Sequence, residues 1–267
     1  MKELTLQELK EIEFDMLKMF DAFCKENNIR YFLAYGTLLG AIRYKKFIPW
    51  DDDVDVLVPR EDYDRLLRLF QDNEKYRLYA FEKDENYLFP FAKICDLDTR
   101  KDELGYESSI ELGVDIDVFP LDAWDDDFKK AKKEAKYINR NMGGLRLSKL
   151  RKPDSVNPIK RFIKGILMVY CKMLGGKHYI KKILKASNKP EQQGTNYVGA
   201  KSWCVYGARG IIPAEAFAEA IEVEFEGRMF PAPVGYDAYL SCLYGDYLPE
   251  PPKEKQKTHH GFKAYRL

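Results

Sequence analysis

Ile48-Pro49-Trp50-Asp51-Asp52-Asp53-Val54-Asp55-Val56-Leu57-Val58 is the stretch whose reading decides the fold. A strand sends successive side chains to opposite faces, so an extended chain here lines Asp51, Asp53 and Asp55 on one face and Val54, Val56 and Val58 on the other. Carboxylates this close repel and raise one another's pKa unless a cation lies between them. Donors that are all oxygen select magnesium or manganese over zinc. A solvated acidic turn is the bland alternative; the β-branched continuation favours a strand.

Upstream, Leu4 to Asn27 carries Leu9, Ile12, Met16, Met19, Phe20 and Phe23 at the three-and-four spacing of an amphipathic helix, with Thr5 and Glu8 placed as its capping box. Tyr31 to Ala34 reads as a short strand leading into Tyr35-Gly36-Thr37-Leu38-Leu39-Gly40-Ala41-Ile42-Arg43. A glycine and a hydroxyl residue at a helix start let phosphate approach backbone N–H groups, which makes Gly36 and Thr37 candidate phosphate contacts. Downstream of Pro59, a helix is expected over 61–70 and strands over 76–81 and 88–95, with Lys93 inside the second. Val114 to Asp122 repeats the alternation of acid with β-branched residue, so Asp117 or Asp115 can complete a metal site if the two acidic strands lie side by side.

The second half changes character. From Leu145 to Lys185 there are twelve Lys or Arg against one acid, a local +11 inside a chain whose net charge is +1, so the remainder sums to −10. Apolar residues from Ile159 to Leu174 alternate with those charges as in a helix that is apolar on one side and basic on the other. Such a surface suits either ordinary solvation of a helical subdomain or contact with anionic lipid or a polyanionic acceptor. No nucleic-acid motif accompanies it. Farther on, Ile221 to Phe230 reads as one strand with Glu222, Glu224 and Glu226 alternating.

A length of 267 residues with 45% hydrophobic composition suffices for one substantial core. No run reaches the roughly 18 apolar residues of a spanning helix, and the charged start does not read as a signal peptide, so a cytoplasmic protein with a peripheral membrane contact is the expectation. Five scattered cysteines suggest neither a disulfide framework nor a zinc site.

The segments 35–43, 47–56, 116–122, Phe-Glu-Gly-Arg at 225–228 and Tyr-Gly-Asp-Tyr with the later Pro-Pro and His-His at 244–260 resemble the LicD family of phosphotransferases, related to the fukutin proteins. The resemblance implies an α+β fold of nucleotidyltransferase type: a small mixed β-sheet flanked by helices, here with an additional basic helical subdomain. The division is a core over 1–140, the basic helices over 141–195, and a segment over 196–267 that packs back on the core. By the same resemblance Gly36 and Thr37 match the phosphate turn, Asp53 and Asp55 the paired metal ligands and Asp117 the third acid, with Asp51 and Asp115 as alternatives.

The implied reaction is transfer of phosphocholine from CDP-choline to a sugar hydroxyl of a teichoic acid or other lipid-linked glycan precursor, using Mg2+ or Mn2+. Arg43 and Lys93 are the candidate cations for phosphate, an internal ion pair being the alternative for each. Asp117 or Asp115 is the candidate base, with His260 the second candidate. Trp124, Tyr197, Trp203 and Tyr206 are candidate aromatic faces for the quaternary ammonium of choline, core packing being the alternative. Competing readings are a sibling transferase using CDP-ribitol or CDP-glycerol, a true nucleotidyltransferase, and a non-catalytic membrane-surface module whose aspartates hold calcium.

Overall fold

The computed structural model describes residues 1–188, 195–258 and 261–267. After a two-residue strand β1 (Lys2–Glu3), helix α1 (Leu6–Glu26) starts at Thr5, where the Thr5 side chain and Glu8 form the expected reciprocal capping box. Its buried stripe is Leu9, Met16, Leu17, Phe20 and Cys24, with Glu13 among them, and this face lies across the sheet. Strand β2 (Phe32–Leu33) leads into α2 (Tyr35–Tyr44), which is followed by β3 (Asp55–Pro59) and α3 (Arg60–Leu69). Next come β4 (Tyr76–Tyr79), β5 (Ala92–Asp96), β6 (Thr99–Glu103) and the long β7 (Asp115–Ala123).

A helical unit follows: α4 (Phe128–Lys149), α5 (Pro158–Leu174) and α6 (Gly176–Ser187). Position 140 falls inside α4, and the unit's core joins Ala131, Ala135, Ile138, Ile180 and Ile183 to Trp124 and Phe81. The chain then returns to the sheet through β8 (Tyr197–Gly199), β9 (Ile212–Pro213), β10 (Ala220–Phe225), β11 (Arg228–Pro233), α7 (Tyr236–Tyr244) and β12 (Phe262–Arg266).

The central sheet runs β2-β3-β7-β5-β4, with β8 and β9 continuing from the far end of β7. Within it β3 and β7 are parallel, and β5 is antiparallel to β7. The mixed sheet with helices on its faces is the expected α+β arrangement. β1, β12 and β6 form a second small sheet, which ties the two ends of the chain together.

Two expected strands are redrawn. The acidic stretch is not extended throughout: the chain turns at Ile48–Asp51, where the Asp51 N–H donates to the Ile48 carbonyl at 3.0 Å, and the strand begins only at Asp55. Lys10 of α1 pins that turn by donating to the carbonyls of Ile48 and Pro49, so Asp51, Asp52 and Asp53 cluster on a loop instead of alternating along a pleat. The stretch 221–230 is a hairpin, because Glu226 and Gly227 both adopt positive φ, the two-residue turn that matches strand twist. All five cysteines are free thiols, and four are buried. Among the described residues no helix is long and apolar enough to cross a membrane.

Candidate active site

One rung across the middle of the sheet reads Asp55, Asp117, Lys93, since Asp55 pairs with Asp117 and Asp117 with Lys93. Directly opposed residues share a face, so two carboxylates and an ammonium stand side by side. Lys93 Nζ donates to Asp115 Oδ1 at 2.9 Å and also to Asp117 Oδ1. Lys101 reaches the same Asp115 oxygen from β6 at 3.1 Å.

Burial pushes the Asp55 carboxyl well above the usual range, and the charges of Asp53, Asp117 and Asp51 add to it. Burial also lifts Asp117, to about 6, against the pull of Lys93. Asp115 goes the other way: the upward effect of burial is outweighed by Lys101 and Lys93, which bring it down to about 2. The same carboxylates overcome the effect of burial on Lys93 and keep it firmly charged.

Helix α2 delivers the second half of the site. Gly36 and Thr37 lie in its first turn, where N–H groups lack intrahelical partners and the helix dipole favours negative charge. A Cβ at Gly36 would collide with the Asp51 carboxylate, so glycine leaves that side chain room at the helix start. The Thr37 hydroxyl oxygen accepts the Asp55 N–H at 2.9 Å in a buried setting. Thr37 thereby fixes the backbone of the acid at the head of β3.

A divalent cation fits this donor set. Asp51, Asp52 and Asp53 bring carboxylate oxygens within 4.8 Å of one another, and Asp55 is buried among charges of its own sign. Every donor is an oxygen, the chemistry of magnesium or manganese.

The remaining candidates separate. Lys93 is an internal ion-pair partner of the acids. Arg43 lies about 10 Å along the α2 axis from Gly36, its guanidinium over the Tyr44 ring at 5.5 Å. That end of α2 is the opposite end from the phosphate turn, and the Arg43 Nε is buried there without a hydrogen-bond partner. Trp124 is buried, its indole N–H donating to the Gly210 carbonyl at 3.3 Å and its ring 5.1 Å from the Lys201 ammonium. Tyr197 packs on Phe128, with the helical unit. The four aromatics therefore form no single cage. Trp203 packs against Phe91 and Phe119 on the sheet, whereas Tyr206 stacks on Tyr35 and donates to the Tyr244 hydroxyl at 3.1 Å. Tyr206 lies near enough to Asp55 and Asp53 that their charges add to burial in raising its phenol. His260 lies outside the described residues.

Four contributors escaped the sequence reading, the first being Asp52, which joins Asp51 and Asp53 in the acidic cluster once the stretch turns instead of alternating. Lys10 and Lys101 are spaced far from the acids in sequence, and nothing local marks them. Glu13 did carry a signal: it falls on the apolar stripe of α1, four residues from Leu9 and three from Met16. Its carboxyl is fully buried, and neither oxygen has a hydrogen-bond partner. Burial raises it well above the usual range, with Lys101 opposing and Asp53, Asp115 and Asp52 adding to the rise.

Comparison with known proteins bears on this geometry. Residues 28–141, which include α2, the acidic loop and the whole Asp55-Asp117-Lys93 rung, match the LicD/FKTN/FKRP nucleotidyltransferase domain. The chain is 34% identical over 282 aligned residues to the lipopolysaccharide cholinephosphotransferase LicD of Haemophilus influenzae, with 100% of both chains covered. Shorter stretches match uncharacterized proteins of Rickettsia typhi, at 37% identity over 23% of this chain and 20% of that one, and of Rickettsia prowazekii, at 41% over 18% of each.

Proposed function

We propose, from the premise that this chain belongs to the LicD family, that it transfers phosphocholine from CDP-choline to a sugar hydroxyl of a teichoic acid or other lipid-linked cell-surface glycan precursor. The observation that carries the reading is the Asp55-Asp117-Lys93 rung set beside the Asp51–Asp53 cluster and the first turn of α2. The full-length likeness to a cholinephosphotransferase supports phosphocholine as the group moved.

Asp53, Asp55 and Asp117 would hold a magnesium or manganese ion, with Asp51 and Asp52 clustered beside Asp53 as further oxygen donors, and that ion when bound would supply positive charge against the donor diphosphate. The chain does the rest. Backbone N–H groups at Gly36 and Thr37 meet phosphate oxygens at the positive end of α2. Lys93 holds Asp117 in place, and Thr37 holds Asp55. The acceptor oxygen attacks the phosphocholine phosphorus in line, the bond to the CMP oxygen breaks, and CMP leaves as a phosphate monoester. The hydroxyl proton goes to a nearby carboxylate. Asp117, on the rung beside Asp55, is the carboxylate placed to take it, whereas Asp115 is tied into ion pairs with Lys93 and Lys101 that hold it low. Tyr206 and Tyr244, half-buried beside the acids, are the aromatic rings nearest to hand for the choline ammonium, which at Tyr206 would take the place of the Arg209 guanidinium now 5.7 Å from that ring.

A thermal-shift panel with magnesium tests the donor, because a ligand that binds only the folded state raises its melting point. CDP-choline is expected to give the largest shift. A larger shift with CDP-ribitol or CDP-glycerol would reassign the cargo, and a response to nucleoside triphosphates alone would reassign the reaction.

A further inference from the structure

Helix α5 is mounted with its apolar side facing away from the protein. At 100° per residue, the exposed apolar side chains from Ile159 to Leu174 fall in an arc of about 160°, and the arc includes Ile159, Phe162, Ile166, Tyr170 and Met173. Packed inward, that arc would form a core. Instead Phe162 is 69% and Met173 81% exposed, and Cys171 is the one buried residue of the helix. The side that meets the protein carries Lys164, Gly165, Met168, Cys171 and Lys172, with Lys164 paired to Asp154 and Lys172 to Glu107. Nine large apolar side chains exposed on one helix form a patch well beyond the scattered surface residues of a monomer.

The charge around the patch says what covers it. Arg151, Lys152, Lys160 and Arg161 crowd its N-terminal end, all exposed, and among the described residues no ion pair engages Lys152, Lys160 or Arg161. A second copy laid on this face would bring its own +11 segment against the first. An anionic bilayer supplies both missing partners, acyl chains for the arc and headgroups for the cations.

We infer that α5 is an in-plane membrane anchor that seats its apolar arc in the acyl boundary of an anionic leaflet. The docking stands on α5 alone; its purpose, presenting the active site to a lipid-linked acceptor, rests on the reading proposed above.

The test is co-sedimentation of the full chain with phosphatidylglycerol/phosphatidylcholine vesicles and with phosphatidylcholine vesicles, for wild type and for Phe162→Ser/Ile166→Ser/Met173→Ser. Wild type is expected to pellet with the anionic vesicles and far less with the neutral ones. The triple variant, its changes lying on exposed positions, is expected to melt like wild type while its partitioning falls at least about a hundredfold. Failure of wild type to pellet, or equal pelleting of the variant, overturns the proposal. So does elution of wild type as a dimer that the variant dissolves, since that result gives the face to a second copy. Turnover of CDP-choline on a soluble sugar acceptor separates the two readings: vesicle binding without turnover removes the transferase and leaves the anchor.

Discussion

The Thr37 hydroxyl is the most informative single atom to remove. Thr37 and Asp55 are 2% and 7% exposed, and the 2.9 Å bond between the Asp55 N–H and Thr37 Oγ1 ties α2 to the first residue of β3. Thr37→Val keeps the shape of the side chain and takes away the acceptor. The Asp55 N–H then stays buried without a partner, at a cost of about 1–3 kcal/mol. For a chain of this size each kcal/mol is worth about 2–4 °C, so the melting point is expected to fall by roughly 2–12 °C. The same change frees the Asp55 backbone, so turnover should fall more than the melting point alone explains. Thr37→Ser retains the oxygen and is expected to recover most of both. Scanning calorimetry and CMP release, measured on the three proteins, decide it. A Thr37→Val protein that melts and turns over like wild type refutes the positioning role, and a Thr37→Ser protein as impaired as Thr37→Val transfers the effect to the methyl group.

Lys93→Met removes the ammonium from between Asp115 and Asp117 and is expected to cost about 3–5 kcal/mol, read as the urea midpoint. Glu13→Leu should stabilise the protein, because a buried carboxyl without a partner is replaced by a side chain that suits its surroundings. The gain has a sign in pH: a carboxyl raised in the folded state contributes no penalty below its unfolded pKa of about 4.3, and stability is lost as pH rises through the folded value. The melting-point advantage of Glu13→Leu should therefore be small near pH 4 and grow upward, and an advantage that shrinks with rising pH would refute this. Gly36→Ala sets a Cβ against the Asp51 carboxylate, the mobile end of a side chain, so it is expected to lower manganese affinity in calorimetric titration with little change in melting point.

Much of this site was legible because its signals are local. Thr5 and Glu8 announce the start of α1, and two segments of alternating acid and β-branched residue announce neighbouring strands; the ladder pairs Asp55 with Asp117. What stayed hidden depends on partners remote in sequence. Lys10 bends the acidic stretch off the pleat from another element, and Lys93 joins the rung only because β5 pairs antiparallel with β7. The period of α5 revealed an apolar side but not its direction, since a helix seated inward and one seated outward carry the same pattern. The aromatic candidates failed to converge for a similar reason. Trp124 and Tyr197 pack with α4 and α6, whereas Trp203 and Tyr206 pack on the sheet.

The acidic rung as a metal-dependent transfer centre is tested most directly by CMP release from CDP-choline in the presence of a glycan acceptor, comparing wild type with Asp55→Asn, with and without EDTA. Wild type should release CMP and place phosphocholine on the acceptor, detected by mass, and EDTA should stop it. Asp55→Asn replaces a buried carboxyl whose ionisation is opposed by burial and by its acidic neighbours, so it should melt no lower than wild type while losing at least about a hundredfold in turnover. An Asp55→Asn protein that keeps full turnover, or a wild type indifferent to EDTA, would contradict the assignment.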